Sequence, residues 1–369
     1  MNTTNYLDSE VDRSQQFVLR DDFELLDLML ADIQKQPSVY RPGPYWASKA
    51  KVSANEIKRC GISDFRGASN MIGLSYADNL LIDVRHSYNY GLKKFLKGIT
   101  RVYPLSVLYD SQRKWTEAYA MANISYMGEI LNLKNESRDL LKKYKIPYSL
   151  LGHCLKSAWI DGQEYSTHYL TLLEQHDRMA SHINFSYAHS VFEIGGGFGA
   201  NIHLLLENYN NIRKVLYLDI PPNLYVGTQY LKAFYGKAVL NYQELKERDS
   251  LQFSTDNKLE IFCIAPWQIE RFESSADIFL NAHSFVEIPR KALANYVTCL
   301  QRLPNAENMA IALVTYNGGD LTTTLPPDEL PGFFKDRSFD RFEAKTLLDS
   351  SSKNLYYLSP GKLSLNKVI

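Results

Sequence analysis

The sequence predicts an α/β protein in which a doubly wound, mostly parallel sheet follows a mostly helical N-terminal region. Three observations predict this fold class. Apolar strands alternate with helical patterns from residue 189 onward. A run of glycines joins the first of these strands to a helix. The first 185 residues instead carry one-sided apolar stripes at helical spacing. We therefore predict a helical region over residues 1–185 and a sheet domain over residues 186–369.

Helical patterns dominate the N-terminal region. Asp22 precedes apolar residues at 23, 26, 29, 30 and 33, which predicts a helix over 23–33. Two prolines flank Gly43 and predict a loop over 42–46. Ser53 and Glu56 have the spacing of a capping box, which predicts a helix over 53–61. Further helices are predicted over 114–132, 136–144, 148–159 and about 166–184, with a turn at Asp161-Gly162 before the last.

The sheet domain begins with a predicted strand over 190–194 and a helix over 199–209. A strand over 213–218 leads through Pro221-Pro222 into a helix that ends at Gly236. Further strands are predicted over 259–264, 277–280 and 309–315, and a helix is predicted over 289–303. Residues 341–348 and 354–358 form a predicted antiparallel hairpin. Five parallel strands and this hairpin give a seven-stranded, Rossmann-like sheet. The insertion over 317–340 is rich in glycine and proline, which predicts a lid or rim.

Composition limits the classes of function. Lysine plus arginine and aspartate plus glutamate both total 41, so the net charge of zero gives no signature of nucleic-acid binding. No apolar run has the length of a membrane span. The N-terminus is polar and acidic, unlike a signal or transit peptide, and the four cysteines lack metal-binding spacing. We therefore predict a cytoplasmic protein with reduced cysteines, without a nucleic-acid partner or a membrane span.

Residues 191–200 carry the strongest functional signal. An apolar strand ends at Glu193, and the chain turns through Gly195, Gly197 and Gly199 into a helix whose first N–H groups can bind a ligand. A second strand ends at Asp219, where a carboxylate can accept hydrogen bonds from a ribose. The glycines also satisfy the pattern of dinucleotide-binding proteins. Glu193 favours S-adenosylmethionine (SAM) instead, because a carboxylate suits the methionine ammonium and would repel a pyrophosphate.

Three segments carry a resemblance to a known family: 191–200, Tyr-Leu-Asp-Ile-Pro-Pro-Asn at 217–223, and Asn-Ala-His-Ser-Phe-Val-Glu-Ile-Pro at 281–289. They resemble class I SAM-dependent methyltransferases, and within that superfamily the sugar O-methyltransferases associated with glycan and glycosylated natural-product clusters. The N-terminal half is similar to that family only loosely, through its Trp46 and Phe65-Arg66 segments.

The resemblance implies cofactor-binding roles along the carboxyl edge of the sheet. Glu193, Gly195 and Gly197 would line the methionine part of SAM with Gly199 completing the turn, and Asp219 would hold the ribose. Residues 265–268 fall where the adenine is usually enclosed. Trp267 would stack on the adenine or else pack in the core, and Gln268 would reach its amino group. Asn281 begins the loop that follows the fourth strand, where methyltransferases place reacting groups.

A sugar hydroxyl needs a proton acceptor, because it is not ionised at neutral pH. His283 is our candidate general base, since a histidine titrates near neutrality, and the alternative is a histidine that orients the loop. Glu287 assists, acts alone, or caps the following helix. Tyr165 and His168 are candidate substrate residues at the start of the helix over 166–184. A Mg²⁺ ion that orients two hydroxyls is left open, and no metal ligands are predicted.

The predicted reaction is O-methylation, by SAM, of a sugar hydroxyl on a glycan, a nucleotide sugar or a glycosylated small molecule. Two alternatives stay open. One is an NAD(P)-dependent oxidoreductase, and the other is a catalytically silent SAM-fold interaction subunit. The sequence identifies neither the sugar nor the oligomeric state.

Overall fold

A central eight-stranded sheet organises the protein, which a computed structural model describes over residues 17–67, 135–154, 157–317, 324–347 and 353–365. Its strands are β3 (Ser190–Ile194), β4 (Lys214–Leu218), β5 (Val239–Leu240), β6 (Glu260–Ile264), β7 (Ile278–Ala282), β8 (Ala310–Tyr316), β9 (Asp340–Lys345) and β10 (Lys353–Ser359). They lie in the order β5-β6-β4-β3-β7-β8-β10-β9. The first six run parallel, and β10 and β9 add an antiparallel hairpin. The predicted fold class is confirmed.

The helices connect these strands or precede them. They are α1 (Phe23–Gln34), α2 (Pro44–Cys60), α3 over 135–143, α4 (Thr167–Ala180), α5 (Ala200–Asn208), α6 (Asn223–Tyr235), α7 (Tyr242–Lys246) and α8 (Arg290–Gln301). All five residues of β3 and of β4 are buried, as expected for parallel strands covered on both faces. Val191 and Phe192 belong to different apolar clusters, because successive side chains of a strand point to opposite faces.

The structure corrects three predicted elements of the N-terminal half. Helix α2 starts at Pro44, so the proline that predicted a loop occupies the first helical position instead, where its missing N–H costs nothing. Ser53 is buried within α2 and does not cap it. The helix predicted over 148–159 is wrong, because Gly152 has a φ of +93° in a turn. The strands β1 (Ser157–Ile160) and β2 (Gln163–Ser166) follow as a small antiparallel hairpin.

Two further differences concern number and extent. The sheet has eight strands rather than seven, because the two-residue strand β5 pairs with β6 at the edge. Helix α4 ends at Ala180, four residues before the predicted end. The helix predicted over 114–132 lies outside the described residues, as do residues 318–323 of the insertion over 317–340. Within that insertion, Pro327–Phe333 is a 3₁₀ segment.

The N-terminal helices pack against the sheet domain at the carboxyl ends of its strands. The backbone N–H of Asp22 donates to the Tyr225 hydroxyl at 2.9 Å. Asp32, on α1, accepts a hydrogen bond from the Tyr242 hydroxyl at 2.9 Å and pairs with Lys246 at 2.8 Å. These contacts place residues 17–67 beside the edge where parallel α/β sheets bind ligands. The division at residue 185 stays a prediction.

Candidate active site

A cavity opens at the carboxyl ends of β3, β4 and β7. About 550 Å³ of space lies between its walls, part of it open to solvent. The glycine turn contributes Gly195 and the end of β4 contributes Asp219. The segment after β7 contributes Ser284 and Glu287. The N-terminal region and α8 contribute a further part of the wall, which includes Arg41, Pro42, Gly43, Trp46, Ala292 and Tyr296.

The three predicted glycines serve different physical purposes. A Cβ on Gly195 would lie 2.1 Å from the Ser284 hydroxyl, and a Cβ on Gly199 would lie 3.0 Å from Leu231. Those two positions are therefore restricted by packing within the protein. Gly197 has a φ of +62°, and a Cβ there would meet nothing within 4 Å. Neither Gly197 nor Gly199 is among the residues that line the cavity, so their predicted contact with the cofactor stays a prediction.

Asp219 is tied to the glycine turn from the end of β4. Its Oδ2 accepts the Gly197 N–H at 2.8 Å, and its Oδ1 accepts the Ile220 N–H at 2.7 Å. Burial raises the pKa of Asp219 to about 7, although these backbone donors act to lower it. The side chain is therefore a buried carboxyl group that titrates near neutrality on the wall of the cavity.

Glu193 lies beneath the glycine turn rather than on the cavity wall. Its Oε1 accepts the Asn201 amide at 2.8 Å, and its Oε2 is buried without a hydrogen-bond partner. A Cβ on Gly196 would lie 2.4 Å from that oxygen, which explains the glycine there. Burial raises the pKa of Glu193 to about 8. The carboxyl group is therefore mostly protonated at neutral pH.

Glu287 faces the cavity with a hydrogen-bond donor on each oxygen. The Trp46 indole N–H donates to Oε2 at 2.7 Å, and the Tyr316 hydroxyl donates to Oε1 at 2.5 Å. Burial raises the pKa of Glu287 to about 6, against the lowering effect of these donors. The helix-cap alternative is wrong, because Pro289 precedes α8 without any side-chain cap. Glu287 instead joins three distant parts of the chain.

His283 lies behind this wall. Its backbone has a φ of +71°, its Nε2 lies 3.2 Å from the Asn354 Oδ1, and its ring centroid lies 5.6 Å from that of Tyr316. Burial lowers the pKa of His283. The histidine is not among the residues that line the cavity, whereas Glu287 is. The structure thus separates the two candidate bases that the sequence placed on one loop.

Asn281 holds that loop in shape. Its amide donates to the Ile194 carbonyl at 2.8 Å and to the Ser284 hydroxyl at 2.6 Å. Its Oδ1 accepts the Phe285 N–H at 3.1 Å. These bonds tie the ends of β3 and β7 together, and the side chain does not line the cavity. Its predicted role in cofactor binding stays a prediction.

Three other predicted site residues form hydrogen bonds with neighbouring protein groups. Trp267 donates its indole N–H to the Tyr242 hydroxyl at 3.3 Å, and the Gln268 Oε1 accepts the Ala265 N–H at 2.8 Å. Tyr165 donates to Gln163 at 2.9 Å. None of these three lines the cavity.

His168 lies beside the glycine turn. Its ring centroid is 5.3 Å from that of Phe198, the residue between Gly197 and Gly199. His168 does not line the cavity either, so its predicted contact with substrate, like that of Tyr165, stays a prediction.

Sequence reasoning missed Trp46, Tyr316 and Tyr296. Trp46 was assigned to a loop, and Tyr316 is the last residue of β8, which was predicted to end one residue earlier. The sequence signal for Tyr316 was its position directly after the predicted strand over 309–315, at the edge of the sheet where ligands bind. Among the described residues, no group of three or more His, Cys, Asp or Glu side chains is arranged to hold a metal ion. No helix within the described ranges is long and apolar enough to span a membrane.

Comparisons with known proteins give likenesses of fold alone. No family model matches the chain, and no curated protein matches it. Mitomycin 7-O-methyltransferase MmcR is 11% identical over 51% of this chain and 53% of its own, with a TM-score of 0.34. An O-methyltransferase family protein from Burkholderia thailandensis is 13% identical over 52% of this chain and 56% of its own, with a TM-score of 0.34. A SAM-dependent methyltransferase from Aquifex aeolicus is 13% identical over 53% of this chain and 94% of its own, with a TM-score of 0.33. The chain thus spans about half the length of the first two, and such scores assign no residue roles.

Proposed function

We propose that this protein is a SAM-dependent methyltransferase that methylates a hydroxyl group of a sugar or a glycosylated small molecule. One observation carries the proposal. Three buried carboxyl groups, Glu193, Asp219 and Glu287, surround the glycine turn and the cavity, and none forms an ion pair with a described residue. Burying a carboxylate without a cation is costly, so this site is suited to a ligand that brings positive charge.

The charge of the site distinguishes the two cofactor classes. SAM carries a sulfonium and an ammonium, which buried carboxylates stabilise. A dinucleotide carries a pyrophosphate, which the same carboxylates would repel. Arg41 is the one arginine or lysine on the described cavity wall, and its guanidinium donates to the carbonyls of Gln36 at 2.6 Å and Gln34 at 2.8 Å. The NAD(P) alternative is therefore disfavoured.

We assign the residues that would hold SAM from their places at the glycine turn and at the end of β4. Asp219 would accept the ribose hydroxyls, and the open side of Gly197 would admit the methionine part of the molecule. Glu193 would stabilise its positive charge from beneath the turn. When bound, SAM supplies an electrophilic methyl group. The protein must then orient the acceptor hydroxyl in line with that group and take up the hydroxyl proton.

Glu287 is better placed than His283 to accept that proton. It faces the cavity, and a pKa of about 6 leaves it mostly ionised at neutral pH while keeping it basic. His283 lies behind Tyr316 and bonds Asn354. We therefore assign the proton to Glu287 and a supporting role to His283.

Calorimetric titration with SAM, S-adenosylhomocysteine and NADH tests the cofactor. We expect binding of the first two, and tight NADH binding with no SAM binding would overturn the proposal. Transfer of labelled methyl groups from SAM to a panel of methyl glycosides and nucleotide sugars then tests the acceptor. Transfer also discriminates an enzyme from a silent subunit, which binds SAM but methylates none of them.

The same assay tests the base. We expect Glu287→Gln to lower turnover by roughly 10²–10⁴-fold with little change in SAM affinity, and His283→Ala to have a much smaller effect. A large loss of turnover in His283→Ala with a small loss in Glu287→Gln would make His283 the general base instead.

A further inference from the structure

The carboxylate of Glu287 is held from two sides by residues far apart in the chain. Trp46 lies 241 positions before it and donates to Oε2, and Tyr316 lies 29 positions after it and donates to Oε1. Glu287 is 5% exposed, so these donors act in a largely dehydrated setting. One donor on each oxygen fixes the plane of the carboxylate. Each oxygen keeps a second lone pair that can accept a proton.

Both donors are themselves anchored. Tyr316 is the last residue of β8, where it pairs with Asn354 of β10. Trp46 lies in the first turn of α2, with the Tyr45 ring edge-on at 5.4 Å. A Cβ on Gly43 would lie 3.0 Å from the Pro289 ring, so the start of α2 sits directly on the segment that follows Glu287. The geometry around the carboxylate is therefore fixed by packing rather than by a mobile loop.

The other charged and titratable groups near Glu287 come from four elements. Asp219 follows β4, Arg41 precedes α2, and Tyr296 lies on α8, and all three line the same cavity. Tyr45 lies beside Trp46, and burial followed by the charge of Glu287 raises its pKa. Asp219 opposes ionisation of Glu287 as a like charge. The Trp46 and Tyr316 donors are therefore the direct contacts that favour the ionised form.

We propose that Trp46, Glu287 and Tyr316 form the acceptor subsite, in which Glu287 takes the hydroxyl proton and Trp46 and Tyr316 are positioning residues. This inference rests on the proposed function. The acceptor oxygen forms a bond to the methyl carbon as the S–CH₃ bond breaks and its electron pair stays on sulfur. The hydroxyl proton passes to a Glu287 oxygen and then to solvent. The acceptor class is a neutral hydroxyl compound whose ring lies against the Trp46 indole on the cavity wall.

The test measures the ionisation of Glu287 without any acceptor. Full-length protein labelled with ¹³C at the glutamate carboxyl is titrated by NMR, and Glu287→Gln assigns the signal. We expect Trp46→Phe and Tyr316→Phe each to increase the proton affinity of Glu287 about tenfold, because each removes a charge-assisted hydrogen bond. The rise of turnover with pH on the acidic side should shift to higher pH by about one unit, which matches the tenfold change in proton affinity. Both variants should lose more in kcat than in SAM affinity.

Tyr357→Phe is the matched control. Tyr357 also donates to a carboxylate, that of Asp328 at 2.7 Å, and it lies on β10 away from the cavity. This control should leave the Glu287 titration unchanged. Unchanged proton affinity in both test variants, or an equal change in the control, overturns the inference.

The proposed function is tested independently of this inference: it is overturned if the parent protein binds no SAM. Should Trp46→Phe not fold, Tyr316→Phe alone decides the inference, because it changes one hydroxyl at the end of a strand.

Discussion

Replacing Asp219 with alanine removes the carboxyl group that we assign to the cofactor ribose. An ionised Asp219 would form two charge-assisted hydrogen bonds with the ribose hydroxyls, each worth about 1.5–3 kcal/mol. In the free protein the same oxygens accept the N–H groups of Gly197 and Ile220, so part of this energy is offset on binding. A net loss of at least about 1.4 kcal/mol corresponds to a tenfold weaker affinity. We expect the loss of SAM affinity to be tenfold or more.

The pH dependence of binding gives a second measure of the same group. The pKa of Asp219 is raised to about 7, so below that pH the free protein holds a proton that SAM binding must displace. SAM affinity should therefore fall about tenfold for each pH unit below about 7 and level off above it. Asp219→Asn keeps the shape of the side chain but cannot ionise, and this part of the dependence should disappear.

Calorimetry from about pH 5.5 to about pH 8.5 provides both measurements. Glu193 and Glu287 titrate in the same interval, with pKa values of about 8 and about 6, so the difference between parent and variant is the informative quantity. Circular dichroism confirms that each variant is folded. Unchanged affinity in Asp219→Ala would remove Asp219 from the binding site and refute the reasoning.

Two other predictions concern the glycine turn. Gly197→Ala and Gly162→Ala both place a Cβ in open space at a positive φ, so both should lose about 1–2 kcal/mol of stability. Only Gly197→Ala should abolish SAM binding in calorimetry, and equal binding by the two variants would mean that the turn faces no ligand. Tyr217→Phe removes the buried hydroxyl that donates to the Gly197 carbonyl at 2.5 Å. We expect a loss of about 1 kcal/mol in urea unfolding and a several-fold weaker SAM affinity, and tighter binding would contradict this anchoring role.

The sheet domain was predictable because its parallel strands are mostly apolar and its connections carry strong local signals. Ser190–Ile194 and Lys214–Leu218 are buried over their whole lengths, and a glycine-rich turn follows the first. Strand β5 escaped prediction because two residues, Val239 and Leu240, are too short to show a period. In the N-terminal half, Pro44 was ambiguous, since a proline can end a loop or begin a helix.

The carboxyl groups of the site were predictable from their positions at strand ends, but their partners were not. Asp219 follows β4 and Glu287 follows β7, the two strands that flank β3, and both line the cavity. It contains no local signal that Trp46 donates to Glu287, because that contact depends on how α2 packs on the sheet. On sequence grounds His283 was the preferred base, and Glu287 on the same loop was the alternative. The positive φ of His283 separates them, since it turns the histidine toward β10.

The separation of Trp46 from Glu287 along the chain also determines how long the first waits for the second during synthesis. During synthesis the tryptophan is made 241 residues before the glutamate. At about 5–20 residues per second, roughly 12–48 s pass between them. Through that interval the first turn of α2 has neither Glu287 nor Pro289 to pack against. The cavity wall therefore closes only after β7 has been synthesised, whatever the order in which the rest of the sheet forms. A ribosome-bound chain that stops short of Glu287 holds the glycine turn and Asp219 but lacks the group that we assign to the proton.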